Sequence, residues 1–251
     1  MIEGGKRIFG KGKTPKVSII TVTYNAAPLL TDYFENVKPY LSDDVELIII
    51  DGRSIDATLY LLQQNGNDID YWLSETDNGI YDAMNKGVIC ARGQWLYFLG
   101  ADDYLKEGFT QMVAQLKDKN TIYYGDTIYY GKHYSKIYNA YYLTKLNFVH
   151  QSLFYPRSVF DKYQYEARYR VYADYHLNLL LWGNDKFRFE HRPLLIAGFP
   201  EGGFSTHEKD PEFEKDRNKL FKKHLGRAAY YRYLNRSIGW FKTFFRIISN
   251  G

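Results

Sequence analysis

A single cysteine, Cys90, among 251 residues excludes an internal disulfide framework and fits a reducing compartment. It stands between Ile89 and Ala91, where a packed thiol is expected rather than a nucleophile. Long apolar runs are also missing. No stretch approaches the roughly 20 residues of a membrane-spanning helix, and Met1–Lys16 lacks the apolar core of a signal peptide. A cytoplasmic protein is expected. Strong charge of either sign is absent: a net +4 does not describe a general polyanion binder. Internal repeats and low-complexity segments are absent too. What is abundant is aromatic: 18% of residues, with 25 tyrosines, which serves an aromatic core and stacking surfaces alike. The length suits one domain, or one domain with a tail.

Residues 1–15, rich in Gly and Lys, are expected to form a flexible N-terminal arm. The β-branched run Val17-Ser-Ile-Ile-Thr-Val within Lys16–Thr23 reads as a buried strand. Asn25-Ala-Ala-Pro28 then turns the chain into a helix near Leu29–Leu41. Val45–Ile50 is a second strand, and Ser54 or Asp56 in the following loop can cap a helix at Ala57–Asn65. Ile69–Ser74 is a third strand, Ile80–Ala91 a helix and Trp95–Leu99 a fourth strand. This alternation predicts an α/β fold with a mostly parallel sheet flanked by helices, Rossmann-like in its layers. Ligands on such sheets bind outside the carboxyl ends of the strands. Thr23-Tyr24-Asn25, Asp51 and Asp102-Asp103 all follow strands directly, so they are expected to share one crevice. Further on, helices are expected at Phe109–Lys117, Arg157–Tyr163 and Asp174–Trp182, strands at Thr121–Tyr130 and Phe148–Tyr155, and extended chain over Phe187–Gly198.

The densest chemistry lies between Asp77 and Asp103. Asp102 and Asp103 end an apolar strand as adjacent like charges, which repel unless a cation or water intervenes. Mg²⁺ or Mn²⁺ suits such hard oxygen ligands and commonly carries phosphate; the alternative is a solvated turn. Asp51, followed by Gly52, is placed to accept from a base N–H or a ribose hydroxyl, or simply to cap its own loop. Thr23, Tyr24 and Asn25 are candidates to cradle a base and ribose, although Asn25 also works as a turn residue. In the polar run Asp77, Asn78, Gly79, Tyr81, Asp82 and Lys86, Gly79 allows close backbone approach and Lys86 can reach a diphosphate. Asp82 can bind a sugar or pair with Lys86 four residues on.

The ordered set Ser-Ile-Ile-Thr-Val-Thr-Tyr-Asn, Ile-Ile-Ile-Asp-Gly-Arg-Ser-Ile-Asp-Ala-Thr, Asp-Asn-Gly-Ile-Tyr-Asp-Ala-Met-Asn-Lys-Gly and Phe-Leu-Gly-Ala-Asp-Asp resembles family 2 glycosyltransferases. The match is close over 16–105 and looser to about residue 206. The resemblance implies a GT-A nucleotide-sugar fold and inverting transfer of one sugar to a saccharide or polyprenyl-linked saccharide in bacterial surface-polysaccharide synthesis. UDP is the favoured nucleotide. It puts Thr23, Asn25, Asp51 and Ser54 at the nucleotide, with Tyr24, Gly52, Asp77, Gly79, Asp82, Lys86 and Asp102 on the donor side. Asp102 and Asp103 become metal ligands for Mn²⁺ or Mg²⁺. Many relatives carry another aspartate where this chain has Gly100, so water, His150 or His207 is a candidate to complete the shell. Asp174, opening an apolar helix, becomes the general base, its alternative being a helix cap. His150, Gln151 and Arg170, together with Ser152, Arg168 and the loop Gly202–Ser205, are expected on the acceptor side. Residues 16–105 would then be the donor half and 106–209 the acceptor half.

From Lys215 to Arg246 there are ten Lys or Arg and one acid, Asp216. If 210–251 is a helical tail, Ile238, Phe241, Phe245 and Ile248 share a face, a pattern suited to an acidic membrane interface. Packing on the domain or pairing of subunits are the alternatives. The Gln-x-x-Arg-Trp signature of processive synthases is absent. Two rival functions remain: a nucleotidyltransferase, disfavoured because Tyr24-Asn-Ala-Ala replaces a glycine-rich basic loop, and a non-catalytic nucleotide-sugar-binding protein.

Overall fold

The computed structural model describes residues 1–9, 14–129, 131–200 and 209–236. Ten strands among them form one sheet: β1 (Ile2–Gly4), β2 (Val17–Thr23), β3 (Val45–Asp51), β4 (Tyr71–Ser74), β5 (Trp95–Phe98), β6 (Tyr104–Leu105), β7 (Thr121–Tyr129), β8 (Lys132–Tyr134), β9 (Leu153–Pro156) and β10 (Arg188–Phe199). The order is β1-β4-β3-β2-β5-β9-β7-β10-β6, with β8 paired to β7. From the pairings, β4, β3, β2, β5, β7 and β10 run one way, and the remaining strands run against them. The α/β sheet is therefore fully parallel through β4-β3-β2-β5 and mixed beyond.

Helices α1 (Ala27–Val37), α2 (Thr58–Gln64), α3 (Ile80–Cys90), α4 (Gly108–Gln115), α5 (Ala173–Trp182) and α6 (Pro211–His224) cover both faces. The central strands are apolar on both sides, as a sheet covered on each face requires. Ile19, Leu47, Ile49 and Tyr97 pack with Leu30 and Tyr33 of α1 and Phe109 and Met112 of α4. Their neighbours Ile20, Ile48, Ile50 and Phe98 point the other way, toward Met84 of α3, Leu177 of α5 and Phe213 of α6.

Four sequence expectations are corrected. The N-terminal residues are not a loose arm: β1 adds antiparallel to β4, and Arg7 reaches across to the opposite end of the sheet from the crevice. Its guanidinium donates to the Cys90 carbonyl at 2.8 Å and pairs with buried Glu46 at 3.4 Å. Arg7→Ala is therefore expected to cost about 2 kcal/mol, by leaving a buried carboxylate short of a partner. The urea midpoint with an unchanged slope measures this, and an unmoved midpoint would refute it.

The strand expected over Phe148–Tyr155 starts only at Leu153. Ser152 Oγ donates to the Val149 carbonyl at 2.7 Å, and the local bond commits 150–152 to a 3₁₀ turn. Arg157–Tyr163 likewise yields one 3₁₀ turn, Arg157–Val159; so short a segment does not offset helix nucleation. The first part of the expected tail belongs to the domain. Asp210 caps α6 through the Phe213 N–H (3.1 Å) and also accepts from Val171 N–H (2.9 Å), so α6 starts against the loop that leads into α5. Phe213 and Phe221 of α6 are buried in the core, and a further helical run follows over 226–236. The apolar face at Ile238–Ile248, the loop Gly202–Ser205 and His207 lie outside the described residues. Among the described residues, no helix is long and apolar enough to cross a membrane.

Candidate active site

The parallel strands β2, β3, β4 and β5 all end on the same edge, and their loops are tied into one structure. Asp51, at the end of β3, is fully buried and accepts four hydrogen bonds: from Thr23 Oγ1 (3.2 Å), Ser54 N–H (3.0 Å), Ser54 Oγ (2.5 Å) and Ser74 Oγ (2.6 Å). That fills the lone-pair sites of a carboxylate. Asp51 thus fastens the ends of β2, β3 and β4 together, as the loop-capping alternative expects. Ser54 Oγ accepts in turn from Asn25 N–H at 2.7 Å, and Asn25 Oδ1 accepts from Ile55 N–H at 3.0 Å. Both Asn25 and Arg53 sit at positive φ, 51° and 60°, a conformation held by these cross-loop bonds. Thr23 is buried and Tyr24 is exposed at the rim.

Gly52 lies between Tyr24 and Asp77. A Cβ there would fall 2.5 Å from Asp77 Oδ2, so a larger residue would displace the Asp77 carboxylate from the β3 loop. Asp77 Oδ1 accepts from Gly79 N–H at 2.9 Å, and Gly79 enters α3 at φ 110°. The two carboxylates Asp51 and Asp77 therefore belong to touching loops. Asp82 and Lys86 behave differently. Asp82 accepts from Asn78 N–H at 2.9 Å, while the Lys86 ammonium donates to the Thr76 carbonyl at 2.7 Å and pairs with Glu75 at 2.9 Å. Asp82 and Lys86 lie 3.8 Å apart. Both hold the loop that opens α3, so Lys86 is not a free ammonium waiting for a diphosphate.

The acid pair splits. Asp102 is exposed, and no donor among the described residues bonds it. Asp103 turns inward, where its Oδ2 accepts from Gly100 N–H (2.6 Å) and Gln151 Nε2 (2.9 Å). Burial first and the neighbouring Asp102 second push Asp103 up to about 7, against the pull of those two donors. Gln151, expected on the acceptor side, anchors Asp103 through this bond. A Cβ on Gly100 would lie 2.6 Å from Asp103 Oδ2 and 2.8 Å from Asp102 Oδ1, so an aspartate at this position requires the pair to rearrange. Among the described residues, no three His, Cys, Asp or Glu gather as a metal cage. One open carboxylate still fits Mg²⁺ or Mn²⁺, which is commonly held by one or two carboxylates with substrate phosphates and water.

Asp174 stands in the first turn of α5, buried, and does not cap it; the N-cap is Tyr172. Its Oδ1 meets Tyr81 Oη at 2.9 Å, and its Oδ2 accepts from Asn147 Nδ2 at 2.6 Å. Asn147 Oδ1 accepts from Asn178 Nδ2 at 2.9 Å, and Asn178 Oδ1 from Tyr155 Oη at 2.8 Å. Burial pushes the Asp174 carboxyl above its ordinary range, although His150 and the Tyr81 contact oppose this. Tyr81, in the first turn of α3, joins this group to the Asp77–Asp82 loop. The His150 ring stacks on Phe98 at 5.2 Å and its Nε2 bonds Tyr165 Oη at 3.0 Å. Burial keeps it below its usual range. Arg170 is exposed, and Arg168 pairs with Asp216 of α6 at 2.8 Å.

Sequence reasoning did not single out Ser74, Asn147 or Asn178. Asn178 was findable, since an amide within Leu177-Asn-Leu-Leu-Leu must have a partner when that helix is buried.

The model of glycosyl transferase family 2 matches residues 18–177. A PGL/p-HBAD biosynthesis glycosyltransferase of Mycobacterium bovis is 35% identical over 214 residues, covering 80% of this chain and 83% of that one. S. aureus TarS in complex with UDP-GlcNAc superposes with a TM-score of 0.59 at 14% identity, covering 82% of this chain and 65% of that chain. A second TarS structure gives 0.62, and there this chain spans only 39% of the other's length. The mannosyltransferase PcManGT from Pyrobaculum calidifontis, in complex with GDP-Man and Mn²⁺, gives 0.59 at 17% identity, covering 90% and 76%. The solved structures establish the likeness of fold; the family match and the mycobacterial relative go further, and this chain belongs to glycosyl transferase family 2 and is a glycosyltransferase.

Proposed function

We propose that the protein moves one sugar, with inversion, from a nucleotide-sugar donor onto a saccharide or polyprenyl-linked saccharide acceptor in surface-glycan synthesis. UDP is the favoured carrier, and the setting is the cytoplasm and the inner face of the cell membrane. The observation that carries this reading is the Tyr81 link between the α3 entry loop and Asp174, which puts a buried carboxylate beside the donor-side loops.

In this reading 16–105 is the donor half and 106–209 the acceptor half. Tyr24, Asn25 and Gly52 face the base and ribose, on a floor that Thr23, Asp51 and Ser54 hold in shape. Asp77 and Gly79 border the donor, with Asp82 and Lys86 keeping their loop closed. Asp102 would hold Mn²⁺ or Mg²⁺, which would neutralise charge on the departing diphosphate; Asp103 supports the turn. Asp174 takes the proton of the acceptor hydroxyl as its oxygen bonds to the anomeric carbon and the bond to the diphosphate breaks on the opposite face.

Calorimetric titration with UDP, GDP and dTDP, each with and without Mn²⁺, tests the donor site on the wild type and on Asp102→Asn. The expected result is Mn²⁺-dependent binding of UDP, weakened at least tenfold in the variant. Binding of none of the three would overturn this assignment of the donor site.

A further inference from the structure

Two segments of this chain carry positive charge without a compensating acid. Residues 132–146 contain Lys132, Lys136 and Lys145, residues 226–236 contain Arg227, Arg232 and Arg236, and neither contains an acid. With the chain at +4 overall, these six cations leave the rest at a net −2. No ion pair among the described residues engages any of the six. The two segments meet at Tyr141 and Tyr142. Lys136 Nζ lies 3.9 Å from the Tyr142 ring centre, Lys145 Nζ 4.1 Å and Arg232 Cζ 4.0 Å from that of Tyr141. What burial Tyr141 has works the other way, but Lys145, Arg236 and Arg232 hold its hydroxyl below the ordinary range. Between these cations Ile137 and Leu146 are 72% and 54% exposed.

We propose that this face, formed by 132–146 and 226–236, docks on an anionic lipid bilayer and so presents the Asp174 side of the crevice to an acceptor carried in that bilayer. Unpaired cations, tyrosines at their level and protruding aliphatic side chains are the chemistry of an interfacial surface. In the sequence, residues 237–251 hold Lys242 and Arg246 and again no acid. The link to catalysis is covalent and short. Leu146 precedes Asn147, whose amide holds Asp174, and Tyr175 of α5 donates to the Leu143 carbonyl. The identity of the acceptor rests on the function proposed above; the docking itself rests on the charges and side chains of this face.

The test is co-sedimentation of the full chain with phosphatidylcholine vesicles, with and without phosphatidylglycerol, at low and high salt. The wild type is expected to partition onto the anionic vesicles alone, and salt is expected to release it. Each cation near an anionic surface contributes about fivefold, so Lys136→Glu/Lys145→Glu should lose at least tenfold. Ile137→Ser/Leu146→Ser should lose less and stay salt-sensitive. Both variants are expected to keep the wild-type melting temperature and UDP affinity, which separates this proposal from the donor-site reading. Equal binding to neutral vesicles, undiminished partition of both variants, or displacement from the vesicles by short duplex DNA at matched charge would overturn it. Loss of UDP binding in every protein, wild type included, would sink the donor site and leave the partition result standing.

Discussion

Asp174→Asn is expected to lower kcat by about 10³-fold while UDP affinity stays within about twofold. The substitution is clean because the surroundings accept an amide. The introduced side chain can turn its oxygen to the Asn147 Nδ2 and its nitrogen to Tyr81 Oη, leaving the phenol hydrogen for the Val171 carbonyl, which lies 2.7 Å away. Tyr81 has one hydrogen and two acceptors, Val171 O and Asp174 Oδ1. A neutral group at position 174 satisfies both, whereas an ionised one leaves one of them short. Burial is what raises the Asp174 pKa, and the Tyr81 hydrogen bond works against that rise.

Activity and stability should then separate with pH. The working base is the carboxylate, so the acid limb of the wild-type rate profile should lie above the ordinary carboxylate range. For stability the sign is opposite. A folded-state pKa raised above the unfolded value contributes stability in full below the unfolded pKa, and that contribution fades as pH rises through the folded one. Asp174→Asn should therefore match the wild type in acid and exceed it at alkaline pH, measured by melting temperature across pH. A variant that keeps activity within tenfold would remove Asp174 from the role of base. One that loses activity and melts lower at every pH would make the residue a structural anchor only.

The sequence carried the layers well because they rest on local pattern. Val17-Ser-Ile-Ile-Thr-Val and Val45–Ile50 are β-branched or aliphatic over several residues, and buried parallel strands leave no other reading of such runs. It also brought Thr23, Asp51 and the acid pair to one edge, since each follows a strand directly. What stayed hidden is the partner of each side chain. Asp51 looks like a ligand-facing acid until Ser74, from a different strand, completes its four bonds. Asp103 looks like a twin of Asp102 until Gln151, 48 residues away, is found bonded to it. Asn147 lies in a loop without periodicity and gains its meaning only by meeting α5. The first residues misled for the same reason: glycine and lysine suggest looseness, but the exposed edge of β4 and the buried carboxylate of Glu46 supplied partners that composition does not show.

Asp51 offers the sharpest test of how the donor side is built. Asp51→Ala removes one acceptor group and strands four donors, on buried Thr23 and Ser74 and on half-buried Ser54. The expected cost is about 3–5 kcal/mol, seen as a fall in the urea midpoint, with UDP affinity reduced at least tenfold because Asn25 and Ser54 lose their common anchor. Ser74→Ala separates the two roles a carboxylate can play here. Ser74 is buried at the end of β4 and bonds Asp51, so its removal frees one Asp51 lone pair without touching the Tyr24–Asn25 loop. If Asp51 works by holding the loops, Ser74→Ala should lose about 1 kcal/mol of stability and weaken UDP binding in step. If Asp51 instead reads the base directly, the freed lone pair should leave UDP affinity unchanged or improved despite the lost stability. The ratio of the two losses, measured on the same preparations, decides between an acid that shapes the pocket and one that belongs to it.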